Sequence, residues 1–305
     1  MSDPEKPKAE RQYAHKPGLS HIHRPANHGR GYFYDSNKTP MHILKQSELD
    51  GMPCPDTLIH GECLESMKHI ADGSVDMILA DLPYGITNLK WDSVIPFEPL
   101  WEAYKRVIKP NGAIVLFGSQ PFTSALIMSN PQWFKYEWIW EKSKASNYLN
   151  ARRCPLKAHE NICVFCQGTP VYNAQLGTGK PFKNKFAIRS AGSCYGNVKE
   201  YSFDNPGTRF PRSVFPRSMF DNEWKPVHPT QKPAPLCEYL IRTYSNPGDL
   251  VLDNCMGSAT LPVACIRTGR HFIGIEKDDS YFAASVERVR AALAQQAFAF
   301  DAPPV

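Results

Sequence analysis

The chain has 305 residues, 42% of them hydrophobic, and a formal net charge of +5. That length suffices for one large core, alone or with an elaboration. No apolar run approaches the roughly 18–20 residues that cross a bilayer, and MSDPEKPKAERQYAHKPG at the N-terminus lacks the apolar centre of a secretory signal, so a cytoplasmic protein without a membrane partner is expected.

Residues 1–53 hold five of the ten histidines and six prolines without periodicity, and read as a flexible polar tail. His21 and His23 have no cysteine or carboxylate cluster at ligand spacing, so no metal is expected. The nine cysteines are scattered, odd in number and mostly inside apolar runs, a pattern of buried reduced thiols.

From Thr57 the chain alternates strand and helix, the pattern of an α/β fold with a doubly wound, mostly parallel sheet. Leu58 to His60 reads as a strand and Cys63 to Ile70 as a helix. Val75 to Ala80 is a continuous apolar strand, and Phe97 to Ile108 an amphipathic helix closed by Lys109-Pro110-Asn111-Gly112. Ala113 to Phe117 is the next strand, followed by a helix over Phe122 to Met128. Tyr136 to Trp140 and Asn161 to Phe165 read as strands. After the interruption described below come helix Pro235 to Tyr244, strand Leu250 to Asp253, helix Ala259 to Thr268 and strand Phe272 to Glu276. A long helix from Ser280 ends the pattern.

Asp81-Leu82-Pro83-Tyr84 follows the Val75–Ala80 strand directly. It therefore lies where the backbone leaves the carboxyl edge of the sheet, the edge at which open α/β sheets bind ligands. A carboxylate, a carbonyl freed from the ladder and an aromatic ring together suit a flat ring with an exocyclic amine. The carboxylate and carbonyl accept its two N–H bonds, and Tyr84 stacks on its face. Chemistry on the amino group of a nucleobase is the implied reaction.

Residues 168–226 interrupt the alternation. Between 168 and 225 stand nine basic residues (Lys180, Lys183, Lys185, Arg189, Lys199, Arg209, Arg212, Arg217 and Lys225) against four acidic ones, with ten aromatics interleaved. Cations mixed with rings suit phosphate contact and base stacking, whereas a solvated insertion with a small core of its own is the plain alternative. The expected organisation is a catalytic half over 54–167, a target-recognition insertion over 168–226 and a cofactor half over 227–297, with 298–305 as a tail.

The cofactor half opens on His228-Pro229-Thr230-Gln231-Lys232-Pro233, which offers the Thr230 hydroxyl and Lys232 ammonium at a helix start, both suited to a carboxylate. Leu250 to Thr260 reads as strand, tight turn and helix start. Gly257 lets a ligand approach the backbone, and Glu276, ending the next strand, stands where an acidic residue meets ribose hydroxyls. Ala259 occupies the place of a last glycine, so the dinucleotide fingerprint is incomplete. A nucleoside with a charged tail fits better than a pyrophosphate, and S-adenosyl-L-methionine is the expected cofactor.

These motifs, in this order over Leu58 to Arg290, resemble the β-class DNA amino-methyltransferases, which modify adenine N6 or cytosine N4. That class is circularly permuted, with the catalytic motif first, target recognition next and the cofactor motif last. The resemblance also takes in Trp140-Glu141-Lys142 and His159-Glu160-Asn161-Ile162. It implies a methyltransferase fold, double-stranded DNA as partner and Asp81, Leu82, Pro83 and Tyr84 as the catalytic set. Glu62, Asp253, Asn254, Gly257, Ser258, Thr260 and Glu276 would meet the cofactor, Glu62 at its adenine. Arg152, Arg153, Lys180, Lys183, Lys185, Arg189, Arg209, Arg212 and Arg217 would meet DNA.

Leu82 departs from the family's first proline, and Asn254-Cys255 from its Pro-Phe. Within the family an aspartate in the first position leans to adenine, so N6 transfer to a flipped-out base is expected, with cytosine N4 as alternative. A homodimer and a paired restriction endonuclease stay open. Cytosine C5 chemistry at Pro53-Cys54, a zinc site from Cys154, His159, Cys163 and Cys166, and a non-catalytic DNA-binding protein are the rivals.

Overall fold

The computed structural model describes residues 41–49, 51, 53–86, 92–186, 201–216, 219–220 and 231–301. The chain runs β1 (His42–Lys45), β2 (Thr57–His60), α1 (Cys63–Met67), β3 (Val75–Ala80), α2 (Phe97–Val107), β4 (Ile108–Gly118), α3 (Phe122–Ser129), β5 (Phe134–Ser146) and β6 (Lys157–Phe165). Short strands follow: β7 (Gly177–Thr178), β8 (Phe182–Phe186), β9 (Tyr201–Asn205), β10 (Thr208–Arg209) and β11 (Val214–Phe215). The chain then continues through α4 (Ala234–Tyr244), β12 (Leu250–Asp253), α5 (Thr260–Thr268), β13 (His271–Glu276) and α6 (Asp279–Asp301). Among the described residues no helix is long and apolar enough to cross a membrane.

Nine strands form one sheet in the order β1-β2-β13-β12-β3-β4-β6-β5-β11. Strands β1 to β4 of that series pair in parallel, while β6 lies antiparallel to both β4 and β5. The central strands are largely apolar because both faces are covered, with Asp76 near the start of β3 and Asp253 at the end of β12 as exceptions. Alternate residues feed opposite cores: Met77 and Leu79 of β3 pack beneath α4, α5 and α6, and Ile78 and Ala80 beneath α1, α2 and α3. All of these side chains are buried. The doubly wound, mostly parallel sheet is thus the observed fold.

Strands β3 and β12 are neighbours in register, Met77 beside Val251 and Ile78 beside Leu252. From β3 the chain moves outward to β4, and from β12 it moves the other way to β13. Their carboxyl ends therefore flank a topological switch point, the crevice where such sheets take ligands. Asp81 leaves one end of that crevice and Asp253 closes the other.

Three boundaries differ from the sequence expectation. The sheet begins inside the stretch read as a tail, because His42–Lys45 pairs in parallel with β2. Four residues between polar, proline-rich flanks carry too little periodicity to stand out. Lys109 to Gly112 belong to β4 rather than to a free turn; Lys109 pairs with Asp76 at 2.5 Å, and a Cβ at Gly112 would sit 2.8 Å from the Asp76 carbonyl oxygen. At the other end, α6 continues to Asp301, past the start of the expected C-terminal tail.

The insertion is tied to the main sheet. Val214 and Phe215 of β11 pair with Ile139 and Trp140 of β5, and Phe215 stacks on Trp138 at 4.7 Å. The remaining short strands form two small antiparallel pairs, β7 with β10 and β8 with β9.

Candidate active site

At the switch point lies a cavity of about 300 Å³. Asp81, Leu82, Pro83 and Tyr84 line it from β3, Asp253 to Ser258 and Thr260 from β12 and the turn after it, and Glu276 from β13. Glu62 and Lys232 also reach it. Residues read separately as catalytic and cofactor motifs share one chamber.

On the catalytic side, both oxygens of Asp81 are engaged. Tyr84 Oη donates to Oδ1 at 2.6 Å, and Lys232 Nζ donates to Oδ2. Lys232 is buried, with Glu160 Oε2 3.4 Å away as its second carboxylate. Lys142 Nζ lies 3.2 Å from the other Glu160 oxygen. Lys142, Glu160, Lys232 and Asp81 thus form a row of alternating charges. Burial alone would lower the Lys232 pKa, but the two carboxylates more than reverse it and hold the ammonium protonated. Burial pushes Glu160 upward, and the two lysines outweigh that and keep it ionised. Removing one member of such a buried set leaves the rest uncompensated.

The Tyr84 ring packs against Phe122 at 5.0 Å, and its hydroxyl is held far from ionisation by burial and then by the Asp81 charge. The backbone amides of Gly85 and Ile86 donate to the Asp92 carboxylate at 2.8 and 3.0 Å. That contact pins the exit of the tetrapeptide, so Leu82 in place of proline does not leave the turn loose.

On the cofactor side, Asp253 accepts the Cys255 amide at 3.0 Å. Burial pushes its carboxyl up to about 8, and the Asp81 and Glu276 charges push in the same direction. Asn254 Oδ1 accepts the buried Tyr104 hydroxyl at 2.6 Å, which ties the turn to α2. Gly257 adopts φ +51°, and a Cβ there would meet nothing within 4 Å; its position is one that side chains rarely take and that opens on the cavity. The Gly257 amide does not wait for an anion. It donates to Glu276 Oε2 at 2.9 Å, while the Asp278 amide holds Oε1 at 2.8 Å. Burial raises the Glu276 pKa and these amides offset part of that rise. Arg288 braces the turn through Ser258 Oγ at 3.2 Å and Thr260 Oγ1 at 2.9 Å. Glu62 caps α1, accepting the Glu65 amide at 2.9 Å.

Lys232, expected beside Thr230 on a cofactor carboxylate, lines the cavity and pairs in this structure with Asp81 and Glu160. Glu160 and Lys142, quoted only as parts of motifs, prove to be the support of Asp81. Nothing in the sequence singles them out, because β5 and β6 carry other charges, among them Lys135, Glu137, Glu141, Lys144 and Lys157.

The expected DNA-contacting residues divide. Arg152 and Arg153 are exposed between β5 and β6, as are Lys180 and Arg212. Lys183 is exposed and pairs with Asp204 at 3.0 Å. Arg209 turns inward instead: it donates to Asn205 Oδ1 at 2.9 Å and the Lys180 carbonyl at 2.5 Å, and covers the Phe182 ring at 4.8 Å. Its Nη1 and Nη2 bonds go to the insertion's own fold. Thr230, Arg189 and Arg217 lie outside the described residues, as do 1–40, and only the backbone of Lys185 is described. Cys54 is exposed and away from the cavity lining. No three His, Cys, Asp or Glu among the described residues converge as metal ligands.

A crevice of this kind in a sheet of this order defines an S-adenosyl-L-methionine-dependent methyltransferase fold. The sequence profile of the N6/N4 methylase family, described as DNA methylase, matches residues 75–287, and the chain belongs to that family. It is 29% identical to the Type II methyltransferase M.HinfI of Haemophilus influenzae, over 77% of this chain and 68% of the relative. It is 27% identical to the Type II methyltransferase M.HpaI of Haemophilus parainfluenzae, over 76% and 73% respectively. The crystal structure of the M1.HpyAVI–SAM complex aligns with a TM-score of 0.52 at 26% identity, covering 76% of this chain and 98% of that one. The cytosine-N4-specific PvuII DNA methyltransferase shares the fold at a TM-score of 0.56 and 15% identity, over 80% and 93%.

The chamber fits the cofactor. It sets carboxyl groups at the ends of β12 and β13 beside a glycine with no side chain to fill the space, an acceptor set for ribose hydroxyls and for the ammonium of the tail. When bound, S-adenosyl-L-methionine supplies an electrophilic methyl group on a sulfonium.

Proposed function

We propose that the chain methylates N6 of an adenine flipped out of duplex DNA. The observation that carries this reading is the Asp81 carboxylate, held in the chamber by Tyr84 and Lys232 and facing the turn of Asp253 and Gly257. An aromatic amine is a poor nucleophile because its lone pair is delocalised into the ring. Asp81 and the Leu82 carbonyl, each accepting one N–H bond, favour a pyramidal nitrogen whose lone pair is free to attack. Positioning and electrostatic stabilisation then supply most of the acceleration, and no covalent bond to the protein forms. Lys232, itself held by Glu160, fixes the carboxylate in orientation. The base cannot reach such a chamber from within the helix, so it must be extruded, and Tyr84 offers the stacking face.

Aspartate at the head of the tetrapeptide supports adenine over cytosine. Mass spectrometry of nucleosides from DNA of cells expressing the chain tests the choice. N6-methyladenine is the expected product; N4-methylcytosine in its place would contradict the adenine assignment, and neither base would contradict DNA methylation itself.

A further inference from the structure

The β5–β6 hairpin runs on beyond the sheet. At its root, Lys142, Ser146, Lys157 and Glu160 line the Asp81 chamber. Past that root every residue from 147 to 156 is exposed. Tyr148 keeps 73% of its surface and Leu149 88%, the highest value for any large hydrophobic side chain among the described residues. Apolar side chains so placed contribute nothing to either core.

The loop nevertheless has a built shape. Asn147 takes a left-handed conformation, Asn150 Nδ2 donates to Asn147 Oδ1 at 2.7 Å, and the amides of Arg153 and Cys154 close on the Asn150 carbonyl at 2.8 and 3.0 Å. Its charge is one-sided. From Lys142 to His159 the sequence holds Lys142, Lys144, Arg152, Arg153 and Lys157 and no aspartate or glutamate. A polyanion is the complementary partner. Apolar side chains pushed between base steps unstack them, and a base leaving the helix must be unstacked first.

We propose that Tyr148 and Leu149 form a wedge that enters the duplex beside the target base as the base swings towards Asp81. Arg152 and Arg153 hold the flanking phosphates. The proposal rests on the methyltransferase reading above and adds what performs the extrusion.

The test is single-turnover methylation by the full chain and by the Tyr148→Ala/Leu149→Ala variant. Two duplexes are compared, both carrying the site at which the wild-type chain places its methyl group. In one the target base is paired; in the other it faces an abasic site, which removes much of the cost of flipping. The variant is expected to be slowed about tenfold or more on the paired duplex and to match the wild type on the abasic one. Equal slowing on both, or none on the paired duplex, would overturn the wedge. A wild-type chain that methylates no DNA at all would instead sink the underlying reading, a result distinct from either.

Discussion

Asp81 owes its orientation to a lysine 151 residues further along the chain. With Lys232 replaced by methionine, Asp81 and Glu160 lose the cation between them, and only the Tyr84 hydroxyl is left to hold the Asp81 carboxylate. We expect K232M to lower kcat by about 10²-fold, the cost of a small misplacement at a reacting centre, with cofactor binding little changed. K232R, which restores the charge, should recover part of the loss. Loss of S-adenosyl-L-methionine binding with kcat intact would return Lys232 to the cofactor role the sequence suggested. The residues of this site were legible to different degrees for a physical reason. Asp81, Gly257 and Glu276 were readable because strand-turn-helix patterns put them at the carboxyl edge of the sheet. The Lys142–Glu160–Lys232 support was not, because its pairings are made by tertiary packing across distant segments.

At the level of elements, β13 carries Glu276 and also lies under the turn that carries Gly257. Gly274 is where the two meet: a Cβ there would stand 2.5 Å from Met256 Sδ, 3.2 Å from Leu58 Cδ2 and 3.3 Å from Pro262 Cγ. Met256 is buried, so its side chain must repack to make room, and the turn it belongs to is tied to β13 by the Met256 amide on the Ile275 carbonyl at 3.0 Å. Overpacking of this kind costs about 1–3 kcal/mol. G274A should therefore lower Tm and weaken cofactor binding together, as thermal unfolding and calorimetric titration would show. Unchanged values for both would mean that the contact is not tight in solution. The central strands and the six helices were readable from apolar runs and amphipathic spacing. Strand β1 was not, and neither was the reach of β5 and β6 beyond the sheet, since exposed hairpins carry no burial pattern.

Across the whole molecule, motifs far apart in the sequence meet because the sheet brings β3 and β12 side by side. The neighbouring strands β2 and β13 are joined by a part-buried pair: Asp56, fully buried just before β2, meets His271 Nδ1 of β13 at 2.8 Å. The hydrogen bond and then the charge of Asp56 raise the His271 pKa above its ordinary 6.5, against an opposing effect of burial. A raised imidazole pKa stabilises the fold fully below the unfolded value, and the contribution fades as pH climbs through the folded one. The Tm difference between wild type and H271Q should therefore be largest below about pH 6.5 and shrink at higher pH; a difference that grows with pH would contradict the pairing. Asp81 is the group at which the two sides of the chamber meet. Asp81→Ala should still bind S-adenosyl-L-methionine nearly as wild type does while transferring no labelled methyl group to DNA in a single turnover. Methyl transfer at an undiminished rate by that variant would contradict the role given to Asp81.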